Sequence, residues 1–369
     1  MADVVVAGHV CVDLIPTLPR LADGFSYAPG ALLEVGPATV STGGCAPNTG
    51  LALHRLGASV RLVGLVGDDP FGSIVRRRLA GEGLDGGIRA VPGEATSYTV
   101  VLSPPEEDRM FLHFPGANDS FGRDAVTAGA LQGARIFHFG YPPLMRRMHE
   151  DGGENLAALL ARARAAGLAT SLDMAYPDPS TSAGKADWPR ILARVLPETD
   201  LFVPSLDELS VMLGSANRSA SLDDLPRLGE DLIRMGAAVV GIKCGPRGLY
   251  LRTADEDRLR HVAVLEAATW AGWELWSPAF EVEVLGTAGA GDATAAGLLH
   301  ALNLGASPEE AVTAAVAAGA MSVEAPDATG GILSWDEARR RISAGWKRKA
   351  GPPGEGWSPH GETGLWGRR

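Results

Sequence analysis

Short apolar runs broken by glycine, proline and aspartate recur along the chain and set its reading. Val4-Val5-Val6-Ala7 is uninterrupted and largely β-branched, as a strand buried on both faces should be, and Val60-Arg61-Leu62-Val63 reads as a second strand. From residue 136 the pattern alternates: strands over 136–139, 169–173, 201–204 and 239–243 are separated by helical spacing over 155–166, 188–195, 207–213 and 222–235. Such alternation predicts an α/β fold, a mostly parallel sheet covered by helices. Further helices are expected over 49–57, stopped by Gly57, from the 67–72 turn to Leu79, and over 308–323 and 335–342.

Two segments break the alternation. Residues 18–40 are rich in Pro, Gly and Ala, with apolar runs at 31–35 and 38–40 that look like exposed strands. Residues 98–102 and 110–114 look like two more, joined by the charged hairpin 105–109. Together these segments are expected to form a small sheet that projects from the main domain and covers a site, a lid drawn from about 14–41 and 97–117. The main domain is expected over 1–345; residues 346–369, without periodicity and rich in Gly, Pro, Lys and Arg, read as a disordered tail. Trp270, Trp273 and Trp276 are expected to be partly buried or at an interface.

Composition narrows the classes. With 369 residues and 46% hydrophobic content the chain can bury a large core. A net charge of −11 and a pI near 5.2 argue against a nucleic-acid partner. Cys11, Cys45 and Cys244 are far apart with no C-x-x-C, so neither a disulfide framework nor a cysteine zinc site is expected. No apolar span of about 18 residues occurs and the first residues are no basic-then-apolar leader, so an unprocessed, cytoplasmic protein with no membrane partner is expected. The eight histidines lack metal-site spacing, and no G-x-S-x-G nucleophile motif is present.

Candidate chemistry gathers at residues 284–297. Val284-Leu285 reads as a strand end, Gly286-Thr287-Ala288 as a turn, and Gly289-Ala290-Gly291-Asp292 as the opening of a helix. Residues with almost no side chain let backbone N–H groups converge at a helix N-terminus, where an anion is favoured. Asp292 at the rim could take a hydroxyl proton while those N–H groups stabilise a transferred phosphoryl group. The same sequence also suits an ordinary strand-to-helix connection. Near the start, Asp13 either meets a ligand at a strand end or caps a turn. Gly43 and Gly44 permit close backbone approach to a ligand, and Asn48 offers a donor and an acceptor to sugar-like hydroxyls. Lys243, at a strand end, either approaches phosphate or is solvated; His113 and His138 read as packed or hydrogen-bonded, with His113 also able to face a ligand from the lid.

Gly43-Gly44 with Asn48, followed far downstream by Gly289-Ala290-Gly291-Asp292, resemble the two signatures of the PfkB family of carbohydrate kinases, also called the ribokinase family. Gly8 with Asp13, the 67–72 turn, Pro115 to Asn118, Pro204 to Glu208 and Lys243 to Gly248 support the resemblance, which spans residues 4–342. It implies a ribokinase-like three-layer sandwich with a small β-sheet lid, and transfer of the ATP γ-phosphoryl to a hydroxymethyl group of a sugar or nucleoside. Asp292 would be the base, with Gly289, Ala290 and Gly291 in the anion hole. Asp13, Gly43, Gly44 and Asn48 would grip the acceptor, and Ser205, Lys243, Gly245 and Thr287 the ATP. Glu208 would act through water on Mg2+. Two departures stand out. Ser205-Leu206-Asp207-Glu208 replaces the family's Asn-x-x-Glu, and Gly286-Thr287-Ala288 stands where many members have Asp-Thr-Thr, whose acid helps hold a monovalent cation. Potassium activation is therefore not expected. The rival readings are a nucleoside kinase and a sugar- or nucleotide-binding regulator of the same fold; exposed lid strands could pair into a homodimer or belong to a monomer.

Overall fold

Val4 and Val6 point into one apolar cluster and Val5 and Ala7 into a second, so the first strand is a divider between two cores, as its unbroken apolar run requires. The computed structural model describes residues 2–20, 30, 32–104, 110–214, 220–361 and 363–368. In chain order its strands are β1 (Val4–Gly8), β2 (Cys11–Pro16), β3 (Ala38–Gly43), β4 (Val60–Gly67), β5 (Ile88–Val91), β6 (Tyr98–Leu102) and β7 (Met110–Phe114). Then come β8 (Ile136–Gly140), β9 (Ala169–Asp173), β10 (Leu201–Phe202), β11 (Val239–Lys243), β12 (Gly248–Thr253), β13 (Glu274–Pro278), β14 (Ser358–His360) and β15 (Leu365–Gly367).

Eleven of the described strands form one sheet in the order β14-β15-β13-β12-β11-β10-β9-β8-β1-β4-β5. It is parallel from β5 through β11 and antiparallel beyond. Helices Cys45–Leu56, Ala290–Asn303 and Pro308–Ser322 cover one face. Glu154–Ala165, Trp188–Val195 and Leu225–Arg234 cover the other, completing three layers. The carboxyl ends of β1, β8, β9 and β11 bring Gly8, Gly140, Asp173 and Lys243 to one side of the sheet, where ligands of open α/β folds bind.

The expected lid is present as a four-stranded sheet in the order β3-β2-β6-β7, beginning at residue 11 rather than 14. Asp13 therefore does not end the first strand; it lies inside β2, opposite Ser41 of β3 and Thr99 of β6. The run 31–35 gives no strand among its described residues, while 38–40 continues as β3 through Gly43. Hairpin 105–109 lies outside the described residues.

Other expectations need correction. Val284 and Leu285 are exposed coil, not a strand end, because the sheet strand before them stops at Pro278. The helix expected from residue 49 starts at Cys45, with Pro47 in its first turn, where a missing N–H costs nothing. Trp270 and Trp276 are buried, since Trp276 lies within β13 and the Trp270 indole N–H donates to Ala306 O at 3.1 Å. The described residues of 346–369 do not form a disordered tail: β15 pairs with β13 and β14 pairs with β15, extending the sheet at its antiparallel edge. No helix among the described residues is long and apolar enough to cross a membrane.

Candidate active site

Asp292 stands in the first turn of helix Ala290–Asn303 and is 1% exposed. Gly289 caps that helix at φ +73°, and a Cβ there would stand 2.5 Å from the Ala328 side chain, so the turn needs glycine on both conformational and steric grounds. Burial here is polar. Asn48 Nδ2 and Tyr141 Oη each donate to Asp292 Oδ2 at 2.9 Å, and Thr49 Oγ1 donates to Oδ1 at 3.5 Å. Burial raises the Asp292 carboxyl above its ordinary range, while Asn48, Lys243 and Tyr141 pull it back. A carboxyl raised in this way is placed to take up a proton nearer neutral pH. The Tyr141 phenol is itself pushed up, by burial and then by Asp292, so it stays protonated and acts as the donor.

Gly43 and Gly44 are both required by packing. A Cβ on Gly43 would lie 2.2 Å from Asp13 Oδ2, and Gly44, at φ +92°, would place one 2.5 Å from His9 O. The pair thus lets β3 turn into the helix directly against the Asp13 carboxylate and the end of β1. Cys11 Sγ donates to Asp13 Oδ1 at 3.3 Å. Burial, joined by the Asp292 charge, pushes Asp13 up to about 6. Asn48, expected to grip acceptor hydroxyls, directs one amide N–H to Asp292. His113 reaches in from β7, its ring 5.2 Å from that of His9, and Thr99 Oγ1 is 3.0 Å from its Nδ1. His138 lies in the core, between Cys45 and Ser171, and burial pushes it down to about 3, so it is a neutral strut.

Below the Asp292 helix opens a cavity of about 730 Å³ lined by Ser205, Glu208, Lys243, Gly245, Thr287 and Gly291 among others. All four expected ATP residues and the expected metal residue therefore meet in one pocket with the cradle. Lys243 Nζ bonds Asp173 Oδ1 at 2.5 Å and would touch a Cβ on Gly291 at 3.4 Å, which sets its charge against the cradle. Burial works against that charge, but Asp173, with Glu208 and Asp292, outweighs it and holds the ammonium protonated. Ser205 and Glu208 form a capping box: Ser205 N donates to Glu208 Oε2 at 2.7 Å and Glu208 N to Ser205 Oγ at 3.2 Å. Ser205 thus anchors Glu208 at the rim.

No cluster of three or more His, Cys, Asp and Glu side chains fit for a metal occurs among the described residues. Glu208 with the buried, unpartnered Asp173 Oδ2 suits a hard cation that keeps its waters and takes phosphate oxygens as further ligands, as Mg2+ does. Tyr141 and Asp173 were not singled out in the sequence. Asp173 had a signal: an acid closing an apolar strand run at the carboxyl edge of a parallel sheet. Tyr141 had little, because its role rests on a backbone at φ +66°, alone among described non-glycine residues in that region, which a sequence does not display.

A profile of the "pfkB family carbohydrate kinase" family matches residues 1–335. The chain belongs to the pfkB family. As such it is a carbohydrate kinase, a phosphotransferase with an alcohol acceptor. Among relatives, it is 26% identical over 323 residues to the ATP-dependent ribose-1-phosphate kinase of Halopiger xanaduensis, covering 87% of this chain and 92% of that one. Arabidopsis thaliana ribokinase, solved with ribose and ATP, superposes with a TM-score of 0.69 at 19% identity, covering 92% of this chain and 98% of that one. A ribokinase-like protein from E. coli, in complex with ATP and Mg2+, gives 0.69 at 21% identity, covering 93% and 100%. The pfkB kinase fold is thereby the fold of this chain.

Proposed function

We propose that this pfkB kinase transfers the γ-phosphoryl group of ATP to a hydroxymethyl group of a sugar or sugar phosphate. The observation that carries this reading is the Asp292 carboxylate, fixed by Asn48 and Tyr141 beside a helix N-terminus that opens on a nucleotide-sized pocket. The acceptor enters beneath the lid, where Asp13, His9 and His113 give it polar walls. Asp292 takes the hydroxyl proton as the oxygen attacks phosphorus in line. Charge building on the transferred group is met by the N–H groups at the start of helix Ala290–Asn303 and by Lys243. Glu208 and Asp173 are the residues that would hold the waters of Mg2+, which would supply positive charge against the phosphates. Ribose-1-phosphate, the acceptor named for the Halopiger relative, heads the list of candidates.

The reading is tested by Mg2+-dependent ADP release on a panel of ribose, ribose-1-phosphate, fructose, fructose-1-phosphate, 2-keto-3-deoxygluconate and adenosine. Release with a sugar or sugar phosphate is expected. Release with adenosine alone would make the chain a nucleoside kinase, and thermal shifts without release would make it a binder.

For assembly, we propose that two lids pair. Met110, Phe111 and Leu112 on edge strand β7 are each about half exposed, at 45%, 54% and 52%, an apolar edge that a second copy would cover. Light scattering in solution should give twice the 38.4 kDa chain mass; a monomer at micromolar concentration would reject the pairing.

A further inference from the structure

The family match ends at residue 335, and beyond it the chain lays a strap along the wall of the pocket. Trp346 stacks on Phe280 with ring centroids 4.3 Å apart, and the Arg348 guanidinium lies 4.3 Å from the centroid of the same ring. Backbone bonds join the two segments: Glu281 N donates to Lys347 O, and Lys349 N to Ala279 O, each at 2.8 Å. Arg348 faces inward, donating to Ser277 Oγ at 2.6 Å and to Thr313 Oγ1 at 3.0 Å, and so fixes the strap.

Lys349 faces the other way. It is exposed, lines the pocket with Gly245, Arg247 and Phe280, and donates from Nζ to Pro246 O at 3.0 Å. The charge balance gives this position a purpose. The protein carries a net −11, and Asp207 and Glu208 stand in the same pocket wall, so the site must offset its own field to receive a polyphosphate. Lys243 is already matched by Asp173. Lys349, by contrast, makes no ion pair among the described residues; a backbone carbonyl is its partner, and a dipole leaves its charge available to a ligand.

We propose that Lys349 is a nucleotide-contacting residue, a cation that this chain adds to the pfkB pocket by means of the 346–349 strap. The inference rests on the reading of the pocket as the nucleotide site. It is tested by calorimetric titration of the full-length protein with a non-hydrolysable ATP analogue and Mg2+, using wild type, Lys349→Ala, Lys349→Glu and Lys349→Arg. Lys349→Ala should raise Kd about two- to fivefold, the size expected of an exposed charge pair. Lys349→Glu should raise it further, Lys349→Arg should restore it, and added salt should shrink the difference. The KM for ATP should rise along with the Kd. Equal binding by wild type, Lys349→Ala and Lys349→Glu would overturn the role of Lys349 and leave the nucleotide site standing. Failure of the wild type itself to bind would overturn the nucleotide reading, and the strap's role with it.

Discussion

The Tyr141 phenol donates a hydrogen bond to Asp292 Oδ2 at 2.9 Å, across 151 residues of sequence, and shares that oxygen with Asn48 Nδ2. An acceptor hydroxyl that gives up its proton to Asp292 must therefore approach Oδ1 or displace Tyr141. While it stays in place, Tyr141 lowers the basicity of the carboxylate, because a donor to the charged form favours that form. Tyr141→Phe should raise the Asp292 carboxyl and shift the acid limb of the kcat profile to higher pH. The shift should be about one to two units, since hydrogen bonds to charged groups are worth ~1.5–3 kcal/mol and one unit is about 1.4 kcal/mol. An unmoved limb would show that the phenol does not tune the base.

Asp13 gives a second pH dependence, with its own sign. Its carboxyl is pushed up to about 6 by burial, so it is protonated below that pH and ionised above it. Only the ionised form accepts hydrogen bonds from an acceptor's hydroxyls at both oxygens. The kcat/KM for the acceptor should fall as pH drops through about 6. A carboxyl raised in the folded state contributes stability below its unfolded value that is lost as pH rises through the folded one. Asp13→Asn should accordingly melt higher than wild type at pH 8 relative to pH 4.5, while binding the acceptor weakly at both. Melting curves that keep the same spacing at the two pH values would remove Asp13 as the titrating group.

Glu208 combines two jobs that substitution can separate. Glu208→Gln keeps an oxygen to accept from Ser205 N and so preserves the capping box, but it removes the charge from the pocket. It should raise the Mg2+ concentration needed for half-maximal turnover with little change in melting temperature. Glu208→Ala should show the same Mg2+ effect and also lose about 1 kcal/mol of stability with the cap. An unchanged Mg2+ requirement in both variants would leave Glu208 a purely structural cap.

Gly286 bears on monovalent cations. A Cβ there would stand 2.8 Å from Ala325 O and 2.9 Å from Pro326 O, so no carboxylate fits at this position while those carbonyls stay in place. Turnover in potassium should equal turnover in tetramethylammonium at matched ionic strength. Strong potassium activation would mean that a cation is held by other groups.

Much of this was legible in the sequence, and for identifiable reasons. Val4 to Ala7 announced a doubly buried strand because their composition leaves no polar face, and residues 289–292 announced a helix start with an acid in its first turn, a pattern that suits an ordinary connection as well as an anion cradle. The lid was legible from apolar runs too isolated to belong to a βαβ repeat. What stayed hidden depends on partners distant in sequence. β15 is three residues long and pairs with β13, some ninety residues earlier, so nothing local marks 365–367 as a strand. Asn48 looked like a sugar ligand because its amide can serve either purpose; only the fold shows that its N–H faces Asp292. Val284 and Leu285 misled in the opposite sense, as an apolar pair lying exposed beside the site.

The most direct test is single-turnover phosphoryl transfer by Asp292→Asn, with Mg2+, ATP and the best acceptor from the panel all saturating. Asparagine keeps the shape and the hydrogen-bonding neighbours but takes no proton. Phosphoryl transfer should slow by about 10²- to 10⁴-fold, with affinity for a non-hydrolysable ATP analogue close to that of wild type. Transfer at the wild-type rate, with chemistry rate-limiting, would contradict the assignment of Asp292 as the base.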